Sequence, residues 1–316
     1  MKRTNWVVAS VVFGLTAWSV AAVAGEKVDE VKLGSVMSMS GGAANQGTQT
    51  KTGAIIAAEE INAKGGIPAL GGAKIRLIFG DSQSKPDVGA SETERIIQRE
   101  NVPLMFGAYQ SAVTTVTTEV AERYKTPWLV TGSVADIITQ RGFKYTFRPN
   151  NKAVYDANEQ LQAIKTLAQE TGKGPKSIGV LVEGSDWGKS HAANLRKLAK
   201  DINYEIVFDE AYSPGTMDFS AQILKIKSKK PDAMIIAMYT PDHIVFTKQI
   251  YEGRLDIPFG IHSVGAGSED PNFYKAVPPQ AVEYMFVQED FQIDITEVAP
   301  WTQAVDKKFR EMLGYE

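Results

Sequence analysis

From residue 31 onward the chain alternates short apolar runs with stretches of helical spacing, and few folds accept that order. Runs at 31–37, 75–80, 104–106, 128–131 and 145–147 read as strands, and a second series follows at 178–182, 205–211, 234–237, 259–261 and 284–287. Residues 52–63, 87–100, 112–124, 155–170, 190–200, 219–227, 242–252 and 300–313 read as helices. Strands separated by helices pair in parallel, because a parallel connection needs a crossover rather than a hairpin. The expected fold class is therefore α/β: two Rossmann-like lobes with parallel sheets, joined by a hinge. Breaks at Arg148-Pro149-Asn150-Asn151 and at 263–271 divide the two series. They predict a first lobe of 25–148 plus 266–316 and a second of 149–265. Ligands of open α/β sheets bind beyond the carboxyl ends of the strands, so both sets of ends are expected to face one cleft that closes by bending.

Residues 1–24 are expected to lie outside the fold. Lys2 and Arg3 precede an uncharged, mostly apolar run, and Ala22-Val23-Ala24 fits a cleavage site, so the segment reads as a signal peptide. Its apolar run is short and diluted for a membrane span. The chain has no cysteine, which excludes disulfides, thiol nucleophiles and thiolate metal sites and leaves no thiol for a lipid anchor. The expected location is the periplasm. Without the signal, 32 basic stand against 37 acidic side chains, a net charge of −5 with no basic run, which argues against nucleic acid as a partner.

The strand ends supply the site candidates. After 104–106 come Tyr109, Gln110 and Ser111, and Ser111 opens a helix whose N-terminal N–H groups favour a carboxylate; it also reads as a plain helix cap. After 128–131 comes the small-residue loop with Ser133, Val134 and Ala135. In the second series Trp187 follows 178–182, and Tyr239 ends 234–237 ahead of Thr240, read as the helix cap, and Pro241. Two aromatics at strand ends would wall an apolar or planar ligand, or merely pack between the lobes.

The opening block, from Ser38-Met39-Ser40-Gly41-Gly42 to Ile61-Asn62-Ala63-Lys64-Gly65-Gly66-Ile67, resembles the start of the leucine/isoleucine/valine-type periplasmic binding proteins, the soluble receptors of amino-acid ABC importers. The resemblance extends over the mature chain. It implies a type 1 periplasmic binding fold, a small-molecule ligand (an amino acid, or an aromatic or branched-chain carboxylate), an ABC permease in the inner membrane as partner, a monomer, and no catalysis or cofactor. By the same resemblance Ser111 is the hydroxyl of the loop that holds the ligand carboxylate, and residues 131–135 form the second carboxylate-side loop. Trp187 and Tyr239 fall on second-lobe aromatic positions, and Gln46 on a first-loop position that is often aromatic. By the same resemblance His262 stands where the family has its ammonium-binding Glu, and it cannot act as counter-charge. That points toward a carboxylate lacking an amine, unless Glu183 or Asp186 supplies the charge. Family members also continue through one further crossover, so this sequence is expected to be a fragment.

Other functions fit less well. Gly184-Ser185-Asp186-Trp187-Gly188-Lys189-Ser190 has three residues between its glycines where a P-loop needs four. No Gly-x-Ser-x-Gly elbow occurs, and His191, His243 and His262 lack the spacing of metal ligands. The alternatives are a sensor that docks on a signalling receptor and, less readily, an exported α/β enzyme.

Overall fold

A computed structural model describes residues 28–289, 297 and 299–314. The signal peptide expected over 1–24 lies outside the described residues. Among the described residues ten strands form two five-stranded sheets, and every pairing between these strands is parallel. The first sheet holds β1 (Glu30–Met37), β2 (Lys74–Asp81), β3 (Met105–Gly107), β4 (Trp128–Val130) and β5 (Thr146–Phe147), in the order β2-β1-β3-β4-β5. The second holds β6 (Ser177–Glu183), β7 (Glu205–Tyr212), β8 (Ala233–Ala237), β9 (Ile261–Val264) and β10 (Met285–Gln288), in the order β7-β6-β8-β9-β10.

The two orders are the same. Each sheet starts at an inner strand, adds an edge, then crosses back to grow on the other side. Each therefore has one switch point, between β1 and β3 and between β6 and β8. In an open parallel sheet that is where successive connections part and leave a crevice.

The helices are α1 (Ala44–Ala63), α2 (Pro86–Glu100), α3 (Ser111–Arg123), α4 (Ala153–Thr171), α5 (Asp186–Asp201), α6 (Ser220–Lys229) and α7 (Thr240–Glu252), with the short α8 (Ala266–Glu269) and α9 (Pro271–Ala276) and finally α10 (Trp301–Leu313). They cover both faces of the sheets, so much of each inner strand is buried: every residue of β3 and of β8 is buried, as is the carboxyl half of β1. Side chains such as Leu181, Ile235 and Ile236 have no exposure; each contributes about 1.5–3 kcal/mol through burial. In the first lobe the fully buried Trp128 also donates from Nε1 to the Gly107 carbonyl at 2.9 Å, tying β4 to the end of β3.

Three expectations need correction. Residues 266–316 were expected in the first lobe, yet β10 extends the second sheet beside β9, while α10 returns to pack on α1, where Lys308 Nζ meets Glu59 at 2.6 Å. The return crossing therefore falls between β10 and α10, not at 263–271. Second, the strand expected at 259–261 begins only at Ile261. Gly260 sits at φ +77°, and a Cβ there would lie 2.5 Å from the Tyr284 carbonyl oxygen, so the chain turns at this point and the strand starts after it. Third, α1 starts eight residues earlier than expected and α5 four.

Candidate functional site

The carboxyl ends of both sheets meet at one cleft of about 240 Å³. Tyr109 and Ser111 reach it from the connection after β3, and Thr131, Gly132 and Val134 from the loop after β4. Trp187 arrives after β6 and Tyr239 after β8, so the two switch points face one another across the cavity. The rings form a cup: Trp187 and Tyr239 centroids are 4.9 Å apart, and those of Tyr109 and Tyr239 6.2 Å apart, bridging the lobes.

Ser111 is the first residue of α3, with Gln110 as its cap. Its Oγ accepts the Ala135 N–H at 3.2 Å, which leaves the hydroxyl proton to donate elsewhere. Ser133 and Ala135 build the loop rather than line the cavity. Ser133 Oγ donates to the Ala108 carbonyl at 2.6 Å, and Arg148, behind the loop, donates to the Ala135 carbonyl at 2.8 Å. Gln110 is likewise structural, its Oε1 accepting from Ser38 Oγ at 3.0 Å.

Gln46 takes a different part. It is buried, and its Nε2 donates to Thr240 Oγ1 at 2.9 Å, joining α1 of the first lobe to the first turn of α7 in the second. Thr50, one turn along α1, lines the cleft instead. On the other flank Thr115 Oγ1 donates to Asp186 Oδ2 at 2.7 Å, and the Asp136 N–H donates to Ser190 Oγ at 3.0 Å. The lobes are thus closed on each other on both sides of the cavity.

His262 does not reach the cleft. It is the second residue of β9 rather than a strand-end residue; its ring stacks on Phe286 at 4.6 Å, and Nε2 donates to the Phe259 carbonyl at 3.2 Å. Burial pushes it down to about 4, so it is neutral. Glu183 is also spent: fully buried, it accepts the Ser185 and Gly188 N–H groups at 2.8 and 3.0 Å and so ties down the first turn of α5.

The acids at the cavity are two that sequence reasoning passed over. Asp156, on the first turn of α4, is buried and accepts from Asn151 Nδ2 at 2.5 Å; Glu269 ends α8. Gly265 and Gln288 were missed as well. Gly265 is a close-approach position at φ +86°: a Cβ would stand 2.5 Å from the Trp187 ring. The Tyr239 phenol is held well above its ordinary range by burial, with the Glu183 charge adding to it, so it is a protonated hydroxyl and not a base.

A parallel two-lobe fold with facing switch points defines a class of bilobal binding proteins. The chain belongs to the periplasmic binding protein family, whose model matches residues 30–315. A "Leu/Ile/Val-binding protein homolog 7" of Brucella suis biovar 1 is 33% identical over 292 residues, covering 90% of this chain and 70% of the relative. Two solved structures share the fold. One is the branched-chain amino acid transporter substrate binding protein LivJ of Streptococcus pneumoniae in complex with isoleucine (TM-score 0.74, 22% identity, 91% of this chain and 78% of that one). The other is an ABC-transporter solute binding protein of R. palustris in complex with 4-hydroxybenzoate (TM-score 0.67, 20% identity, 78% and 65%). Among the described residues no helix is long and apolar enough to cross a membrane.

Proposed function

We propose that this chain is an exported solute receptor that closes on one small molecule, an amino acid or a related small carboxylate, and presents it to an ABC permease without altering it. The observation that carries the reading is the pairing of Ser111, at the start of α3, with the aromatic wall of Trp187 and Tyr239 across one interlobe cavity. Free N–H groups at a helix start and a hydroxyl donor suit a carboxylate; the rings suit an apolar or planar body. Family membership and the signal-like residues 1–24 support a periplasmic location. That the ligand is released unaltered is supported by membership of a family of binding proteins.

A thermal-shift panel of amino acids, aromatic and branched-chain acids and short amides tests the reading. A member at 100 times its Kd should stabilise the fold by about 2.7 kcal/mol, a rise of several degrees. Binding that survives both Ser111→Ala and Trp187→Ala unchanged would remove the proposed site; no binding on a folded sample would remove the receptor reading.

A further inference from the structure

The buried face of α4 is apolar through Ala153, Ala157, Leu161 and Ile164, yet it also carries Asp156 and Gln160. Gln160 does not line the cavity. Its amide joins three elements instead. Oε1 accepts from His191 Nε2 of α5 at 2.7 Å, and Nε2 donates to the His262 carbonyl of β9 at 3.4 Å. A carbonyl only accepts, so the amide turns its nitrogen to His262 and its oxygen to His191. His191 has no exposure and burial pushes it down to about 4, so the ring is neutral and carries its proton on Nε2. Each joined element delivers a cavity residue close by. Asp156 lies one turn before Gln160 on α4, Trp187 one turn before His191 on α5, and Val264 and Gly265 directly follow the 262–263 segment of β9. Between α5 and β9 there is almost no slack, because a Cβ on Gly265 would already stand 2.5 Å from the Trp187 ring.

We infer that Gln160 is the positioning residue of the second-lobe wall: by holding α4, α5 and β9 at one spacing it sets where the Trp187 ring stands, and so the shape the cavity accepts. The inference rests on the receptor reading above and adds to it a residue that never touches the ligand. Ala157, Leu161 and Ile164 pack in the same core cluster as Trp187 and Val264. An apolar side chain at position 160 would suit those neighbours and leave no polar atom to satisfy. What it could not supply is direction. Apolar contact is non-directional and lets packed elements slide a little, whereas hydrogen bonds hold both distance and angle. The Gly265–Trp187 approach has no distance to spare, so the spacing of α5 and β9 is where such a tie matters.

Gln160→Met, of similar length and volume, removes both bonds. In the chain labelled with 5-fluorotryptophan, the fluorine resonance of Trp187 is assigned through Trp187→Phe, and that of Trp128 in the first lobe serves as reference. Without any ligand, Gln160→Met should move or broaden the Trp187 resonance and leave that of Trp128 in place. Calorimetric titration with the tightest-binding member of the thermal-shift panel should show a loss of about tenfold in affinity. In a Trp187→Leu background the same substitution should cost less than about twofold, because it acts through the ring. A merely structural role would lower Tm and spare both readouts. Gln160→Asn keeps the amide one methylene short; it should act in the same direction and serves if the Met variant does not fold. An unmoved Trp187 resonance, an unchanged affinity, or an equal loss with and without the Trp187 ring would overturn the inference and leave the receptor reading intact. A wild-type chain that binds no panel member while the Trp187 resonance still moves would overturn the receptor reading, and leave Gln160 as the residue that places the ring.

Discussion

Gly265→Ala is the sharpest perturbation the cleft offers. The residue lies at φ +86°, ψ 179°, a region reserved for glycine, and forcing an L side chain there costs about 1–3 kcal/mol. The added Cβ would also stand 2.5 Å from Cη2 and Cζ2 of Trp187. Displacing a packed ring by overpacking costs a further ~1–3 kcal/mol. Together the variant should lose about 4 kcal/mol, which at ~2–4 °C per kcal/mol corresponds to a drop of about 10 °C in Tm. The ring is the collision partner, so the loss should depend on its size. In a double-mutant cycle with Trp187→Leu, the ring-dependent part should disappear, giving a coupling of about 1–3 kcal/mol. Thermal unfolding of the four proteins in the cycle, followed by circular dichroism, reads both quantities. A Gly265→Ala variant with wild-type Tm, or a cycle with no coupling, would refute the packing described between β9 and α5.

Three further outcomes are expected. Thr115→Val removes the hydroxyl that donates to Asp186 across the lobes; loss of about 1 kcal/mol from the closed state alone should weaken ligand binding about fivefold. Titration should show this with the ligand-free Tm within a degree or two of wild type, and a loss of Tm without loss of affinity would place the bond's effect inside one lobe. The three histidines are buried and held below their ordinary range, His191 and His262 at about 4 and His243 at about 3. Their contribution is complete above about pH 6.5 and is lost as pH falls toward 4. Asp242, raised by burial to about 6, works the other way: it favours the fold below about pH 4, an advantage lost as pH rises through 6. With three groups against one, Tm should fall between pH 6.5 and 4.5. The fall should be shallower in His262→Gln and steeper in Asp242→Asn; a flat profile in wild type would contradict the burial of the histidines.

The lobes were legible because parallel strands buried on both faces are written as continuous apolar runs, as in Ile178-Gly179-Val180-Leu181-Val182 and Met234-Ile235-Ile236-Ala237. Tyr109, Ser111, Val134, Trp187 and Tyr239 come together at the cavity because each follows such a strand closely, where topology fixes direction. What was hidden depended on tertiary contact. The first turns of α1, Ala44-Asn45-Gln46-Gly47-Thr48-Gln49, carry no apolar stripe and no capping side chain, and the helix is fixed there through Gln46 and Thr240. His262 looked like a strand end only because Phe259 and Ile261 are apolar, while the turn at Gly260 and the polar Ser263 concealed where β9 runs. Asp156 passed for an ordinary acid in a first helical turn. Glu269 lay in what resembled a hinge, and Gln288 sat on a strand credited to the wrong lobe.

The central claim is that one small molecule occupies the cavity between the two switch points. A crystal structure of the chain with the tightest-binding member of the panel tests it most directly. Density enclosed by both lobes is expected, with the ligand's carboxylate or polar end within hydrogen-bonding distance of Ser111 Oγ and its body against the Trp187 and Tyr239 rings. A ligand seated elsewhere, for example against His262 and Phe286, or lobes that enclose nothing between Ser111 and Tyr239, would contradict it.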